Sequence, residues 1–337
     1  MATHGAMYYR AIDETTVKCL LCPVGCTLGE GQRGFCRVRE SRGGKLYTAA
    51  YGSVCSMHVD PIEKKPLFHF LPGTMSFSIA TAGCNFRCKY CQNWQISQVR
   101  PEDVENYPLS PEQAVAQALR TNSPTITYTY TDPSIFYEYM LDISKAAKAR
   151  GIRNIYRSNG SLNPPAVEEL CLYIDAANID LKAFTQDFYT EVSAGYLDTV
   201  LNTLKLLKKN RIWVEITNLI VPTLNDDMGK IKEMCVWIKD NMGVDQPLHF
   251  SRFWPMYKLA SLYPTPVDTL EKARQVALDV GLNYVYIGNV PGNPAENTYC
   301  PKCTAPVIRR SGYTILGNDL VNGRCGKCNE AIPGVWS

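Results

Sequence analysis

The chain has 337 residues, 45% hydrophobic and 20% charged, long enough to bury a large core as one main domain with smaller attachments. Its formal charge is only +3 and the basic residues are scattered, so composition marks no nucleic-acid partner. No apolar run reaches the roughly 18 residues of a membrane span and no basic segment leads into an apolar one, so a cytoplasmic protein without a membrane partner is expected.

Residues 1–72 are rich in Gly, Cys and Arg and show little sustained periodicity until the approach to Pro66 and Pro72. Such a stretch makes a poor apolar core by itself. Cys19, Cys22, Cys26 and Cys36 offer a metal staple in compensation. Four protein thiolates leave no open position, so this site is expected to be structural or electron-transferring, holding zinc or an auxiliary [4Fe-4S] cluster.

From 73 to 292 short β-branched or aromatic runs alternate with amphipathic stretches. The apolar runs 76–82, 125–130, 153–157, 177–181, 212–220, 247–253 and 284–289 predict strands. The stretches 111–119, 137–149, 165–173, 197–209, 228–239 and 269–279 predict helices between them. This repetition implies an α/β fold with parallel strands and right-handed crossovers. Seven strand candidates are one short of a complete (β/α)8 barrel. An open doubly wound sheet is the alternative, but no G-x-G-x-x-G follows a strand.

Residues 293–337 read as a separate unit. Cys300 and Cys303 form one C-x2-C hook and Cys325 and Cys328 another, with 21 residues between the hooks. That is the pattern of a small ribbon holding one tetrahedral metal, for which zinc is the best candidate and rubredoxin-like iron the competitor.

Eleven of the fourteen cysteines thus fall into three metal-like groups, which points to a reducing compartment rather than disulfides. Cys55, Cys171 and Cys235 are left over, the last two in helical periodicity as small buried hydrophobes. The third group, Cys84, Cys88 and Cys91, has the spacing C-x3-C-x2-C on a loop after the first predicted strand. Three thiolates hold three irons of a cubane [4Fe-4S] cluster and leave the fourth open to a ligand that is not protein. A structural zinc borrowing a distant fourth ligand is the bland alternative, and no second hook lies nearby to support it.

This loop resembles that of the radical S-adenosylmethionine (SAM) enzymes, in which the open iron is chelated by the methionine part of SAM. Tyr90 matches the aromatic commonly found before the third cysteine. The resemblance implies a partial (β/α)6 radical SAM barrel with an extra strand at 73–292, flanked by cysteine-rich metal-binding units at 1–72 and 293–337. It also implies site residues at the other strand ends. Asp132 stands where related activases place an acid that meets the SAM ammonium, although an Asp helix cap before Pro133 explains it as well. Ser158 and Asn159, before Gly160, are similar to the Thr-Asn-Gly of glycyl radical enzyme activases. Asp180 and Lys182 resemble their Asp-x-Lys beside the SAM ribose, with a salt bridge at the strand edge as the structural alternative. His249 is expected either to hold SAM or to be a satisfied core histidine, and Arg252 to meet an anionic substrate group or the SAM carboxylate.

The likeness extends over nearly the whole chain to the radical SAM member of the AmmeMemoRadiSam group, close to pyruvate formate-lyase activating enzymes. It implies reductive cleavage of SAM to methionine and a 5′-deoxyadenosyl radical that abstracts hydrogen from a substrate. The expected partners are a low-potential electron donor such as flavodoxin or ferredoxin, and a protein, peptide or small-molecule substrate within a system that includes Memo-like proteins. A glycyl radical enzyme activase is one specific form of this reading. A non-catalytic metal-stapled binding module is the alternative from another class.

Overall fold

A computed structural model describes residues 4–337. The main sheet contains β1 (Ser53–Pro61), β2 (Met75–Thr81), β3 (Thr125–Tyr128), β4 (Arg153–Ser158), β5 (Ala176–Asp180), β6 (Trp213–Ile220), β7 (Leu248–Arg252) and β8 (Val285–Gly288). Strands β2 to β8 pair in parallel in sequence order, while β1 runs antiparallel to β2 and carries the short edge strand Tyr107–Pro108. The sheet does not close, because β8 at one edge pairs only with β7.

The connecting helices are α1 (Pro111–Arg120), α2 (Tyr137–Lys148), α3 (Pro164–Leu170), α4 (Leu197–Lys209), α5 (Met228–Met242) and α6 (Val267–Val280). Their starts are written locally. Ser110 and Gln113 form a capping box ahead of Pro111, and the Asp227 carboxylate accepts the Lys230 N–H at 2.8 Å. Strand β1 lies in the stretch where the sequence shows no clear period. Its half-exposed Ser, Met and His positions follow from its place near the sheet edge.

The segment between β1 and β2 returns across the concave face instead of passing outside. Pro66 O accepts from Asn178 Nδ2 at 2.7 Å, and the Glu215 carboxylate accepts the backbone N–H groups of Phe68 (3.0 Å) and His69 (2.8 Å). Ile62, Leu67, Phe70 and Leu71 fill the space against Ile155 and Ala176. The polar inward positions of β5 and β6 are thereby compensated by backbone groups of this plug.

The C-terminal unit covers the same side. Its hairpin, β9 (Pro306–Ser311) and β10 (Thr314–Asn318), brings Arg310 Nη2 to 2.8 Å from Phe68 O, while Val335 N donates to His69 O at 2.7 Å. Tyr286 on β8 lies 3.0 Å from Thr298 Oγ1, so the free edge of the sheet is packed against this unit. At the other end of the chain are two small three-stranded sheets, one of which reaches α2 through the buried pair Arg39 and Glu138. No helix among the described residues is long and apolar enough to cross a membrane.

His69 joins these layers. Its Nδ1 lies 2.6 Å from Pro333 O and its Nε2 2.5 Å from the Tyr286 hydroxyl, an arrangement that suits the neutral ring with Nδ1–H donating. Burial pushes its pKa down to about 4, against the partial opposition of the Glu215 charge. The unfolded chain therefore binds a proton that the folded chain refuses. This contribution is complete above the unfolded value near 6.5 and is lost as pH falls to about 4, a change of about 3 kcal/mol. Denaturant unfolding of wild type and His69→Gln across that window is expected to show the steeper acid loss in wild type. Equal slopes would refute it.

Candidate active-site cavity at the strand ends

A cavity of about 430 Å³ opens at the C-terminal ends of the parallel strands, and residues from every strand end or its following loop from β2 to β8 line it. Cys84, Cys88 and Cys91 enter from the loop after β2. That loop is shaped from outside by residues 189–195. Ser193 O accepts Arg87 N–H at 2.8 Å, and a Cβ on Gly195 would lie 2.3 Å from the Phe86 ring, so only glycine fits there. Phe86 N–H points at Cys84 Sγ (3.4 Å), and Cys91 Sγ lies 3.1 Å from Ser97 Oγ. Burial pushes the Cys84 and Cys88 thiols up, so each becomes a thiolate only with a cation or metal to hold it.

Asp132 faces the cavity but its oxygens are occupied. They accept Ser134 N–H (3.0 Å), Ser158 Oγ–H (2.9 Å) and Asn159 N–H (2.7 Å). The helix-cap reading therefore holds, and the same carboxylate also ties β3 to β4. Asn159 Nδ2 donates to Asn85 Oδ1 at 2.9 Å, and Asn85 Nδ2 to Ser161 O at 2.8 Å, which joins the β4 loop to the cysteine loop. Gly160 has φ +73°, and a Cβ there would lie 3.0 Å from Ile179 and 3.1 Å from Val200. Gly160→Ala is expected to cost about 1–3 kcal/mol of stability in a denaturant titration; an unchanged midpoint would contradict this close fit.

Asp180 forms an ion pair with Arg157 at 2.8 Å and another with Lys182 at 3.1 Å. Burial alone pushes its pKa up, but the two cations outweigh this and hold it at about 2. The Lys182 ammonium lies 5.6 Å from the centre of the Tyr90 ring, and Tyr90 is itself buried against Phe188. Asn225 Nδ2 donates to Lys182 O at 2.7 Å and fixes the backbone beside this pair. A salt bridge and a cavity-facing position thus coexist in Asp180 and Lys182.

Two further candidates are held by partners of their own. His249 lines the cavity, but its Nε2 lies 2.7 Å from Glu215 and its ring stacks on Tyr286, so its place is that of a satisfied core histidine. Arg252 is not in the cavity wall: its Nε donates to Thr265 O at 2.8 Å and its guanidinium covers the Trp254 ring at 4.5 Å. The chain turns away after β7, and those partners satisfy the charge outside.

Other lining residues carry little local sequence signal. Lys65 pairs with Asp60 at 2.5 Å, over the Tyr130 ring, and burial lowers its pKa to about 8 despite that carboxylate. Tyr130 also donates to Asp60. Glu63, Glu296, Gly312 and Tyr313 complete the wall, so both the plug and the C-terminal hairpin reach the cavity. The only cue was the charged run Glu63-Lys64-Lys65 before Pro66.

The eleven grouped cysteines separate by geometry. Cys300, Cys303, Cys325 and Cys328 bring all four sulfurs within 4.8 Å of one another, with Cys300 to Cys328 at 3.6 Å and Cys303 to Cys325 at 3.7 Å. A tetrahedral ion with metal–sulfur bonds near 2.3 Å holds its sulfurs about 3.8 Å apart, so this set fits one metal ion. Cys19, Cys22, Cys26 and Cys36 line a different, small cavity.

Residues 78–235 match the radical SAM superfamily. The uncharacterized protein MJ0808 of Methanocaldococcus jannaschii is 48% identical over 329 residues, which span 97% of this chain and 98% of that protein. A pyruvate formate-lyase-activating enzyme of Clostridium pasteurianum is 24% identical over 173 residues, 49% of this chain and 69% of that enzyme. Among solved structures, a radical SAM methyltransferase from Sphaerobacter thermophilus shares the fold with a TM-score of 0.53 and 12% identity, over 85% of this chain and 77% of that one.

Proposed function

Because the chain belongs to the radical SAM superfamily, we propose that Cys84, Cys88 and Cys91 hold a [4Fe-4S] cluster whose open iron binds SAM. The observation that carries this reading is the single cavity that gathers these three cysteines with the polar ends of the successive strands. The donor set fits, since three thiolates leave one iron of a cubane free. The volume fits as well: about 430 Å³ lies in the range of about 300–1,000 Å³ typical of small-molecule sites. When bound, the cluster and SAM supply an electron transfer that yields methionine and a 5′-deoxyadenosyl radical.

The protein's own residues bind, orient and shield. Tyr90, Asp180 and Lys182 form the polar wall for SAM next to the cluster loop, where Lys182 is charged and anchored. Asp132, Ser158 and Asn159 hold the shape of that wall through their mutual hydrogen bonds. His249 acts through Glu215 and the plug. The plug and the C-terminal hairpin keep water from the substrate side of the cavity. Zinc in the C-terminal four-cysteine site holds that hairpin in place.

The finer reading assigns the chain to the AmmeMemoRadiSam group of activase-like barrels, with a flavodoxin or ferredoxin as electron donor and a small molecule, peptide or protein as hydrogen donor. The test is anaerobic: the iron–sulfur-reconstituted, reduced protein receives SAM and 5′-deoxyadenosine is quantified. Product formation is expected. Its absence, with no change in the cluster's paramagnetic signal on adding SAM, would overturn the proposal. The partial likeness to pyruvate formate-lyase-activating enzymes favours a second reading as an activase. That reading expects a persistent glycyl doublet on a partner enzyme, whereas a small-molecule substrate leaves none.

A further inference from the structure

The N-terminal cysteines are not arranged like those of the tail. Cys19, Cys22, Cys26 and Cys36 line one small void together with the apolar side chains of Leu21, Val24 and Ile135. Among the described residues no three of their sulfurs come within 4.8 Å of one another, whereas all four sulfurs of the C-terminal set do. The same wide spacing holds for Cys84, Cys88 and Cys91. One tetrahedral ion draws its sulfurs to about 3.8 Å, while a cubane, with an iron at each ligated corner, holds them further apart. The N-terminal set is therefore not drawn in around one point as the C-terminal set is.

Its surroundings suit sulfur-rich, negatively charged contents. Phe35 N–H points at Cys26 Sγ at 3.3 Å, and Arg39 Nη1 lies 3.8 Å from Cys19 Sγ. Donors to the sulfurs are among the devices by which proteins set iron–sulfur potentials.

The set also abuts the catalytic cysteine loop. Gly83, the residue before Cys84, has φ +101°, and a Cβ there would lie 2.6 Å from Cys36 O. Arg87, between Cys84 and Cys88, donates to Phe35 O and lies 3.9 Å from the centre of the Phe35 ring. Asn85 lines the N-terminal void directly. One layer of chain separates the two sites.

We infer that Cys19, Cys22, Cys26 and Cys36 hold a [4Fe-4S] cluster that relays electrons to the catalytic one. The relay rests on the function proposed above, and the identity of the N-terminal group does not. One electron from a low-potential flavin or iron–sulfur donor protein takes the N-terminal cluster from its 2+ to its 1+ state. That electron passes to the catalytic cluster, the N-terminal cluster returns to 2+, and no proton or bond is exchanged at the relay.

The test uses full-length protein reconstituted anaerobically, as wild type and as Cys84→Ala/Cys88→Ala/Cys91→Ala. Wild type is expected to hold about eight irons and eight sulfides with one zinc, and the triple variant about four of each with one zinc. On reduction the variant is expected to give a paramagnetic cluster signal that SAM leaves unchanged. Two zincs and no sulfide in the variant would overturn the inference. If the variant fails to fold, four sulfides with two zincs in wild type would overturn it equally. A failure of the proposed function is separately visible, as a wild-type cluster signal that SAM does not alter.

Discussion

Cys88→Ser is expected to lower 5′-deoxyadenosine formation to background, a loss of at least about 10³-fold or about 4 kcal/mol of transition-state stabilisation. The loop offers three thiolates, so removing one would leave the proposed cubane with two anchors. Cys88 is 8% exposed and sits between Tyr90 and the 189–195 turn, where no solvent ligand replaces it well. The fold has little reason to fail, because the loop is held by Arg87 and Lys89 backbone hydrogen bonds to Ser193 and Val192. Unchanged helical circular dichroism and retained C-terminal metal would serve as controls. A variant that keeps a tenth of the activity would show that the chemistry uses another site.

Arg39→Met is expected to cost about 3–5 kcal/mol in a denaturant titration of the metal-loaded protein. Arg39 and Glu138 are each 2% exposed and pair directly, and Arg39 Nη1 also donates to Met7 O at 2.7 Å. Removing the guanidinium leaves a buried carboxylate, with only the Met7 N–H at 2.7 Å to stabilise it. The double variant Arg39→Met/Glu138→Leu is expected to recover much of the loss, since an apolar pair of similar volume requires no desolvated charge. A single-variant change below about 1 kcal/mol would mean that water reaches the pair, contrary to its burial.

Much of the candidate site was legible because the chemistry proposed for it depends on spacing. C-x3-C-x2-C on the loop after the first parallel strand and the paired C-x2-C hooks are local patterns, and local patterns survive in one dimension. The polar alternation Asn178, Asp180, Lys182 was readable in the same way, and in the fold it is compensated by Pro66 O, Arg157 and Thr217. Asp132 was readable as a cap and does cap, but its link to Ser158 and Asn159 spans 26 and 27 residues and left no mark on either neighbourhood.

Residue types and short periods determined the alternation of strands and helices and the three cysteine groups. The tertiary structure decided the rest. It sent 62–71 across the concave face, gave His249 to Glu215, turned Arg252 toward Trp254, and laid the C-terminal hairpin on the cavity wall. It also set the cysteine groups at different spacings. The physical reason is range: a helix, strand or chelating loop is shaped by contacts within a few residues. A buried acid such as Glu215 takes whichever donors the packed chain delivers: besides its neighbour Trp213, these are His249, His69 and Phe68, from 34 to 147 residues away.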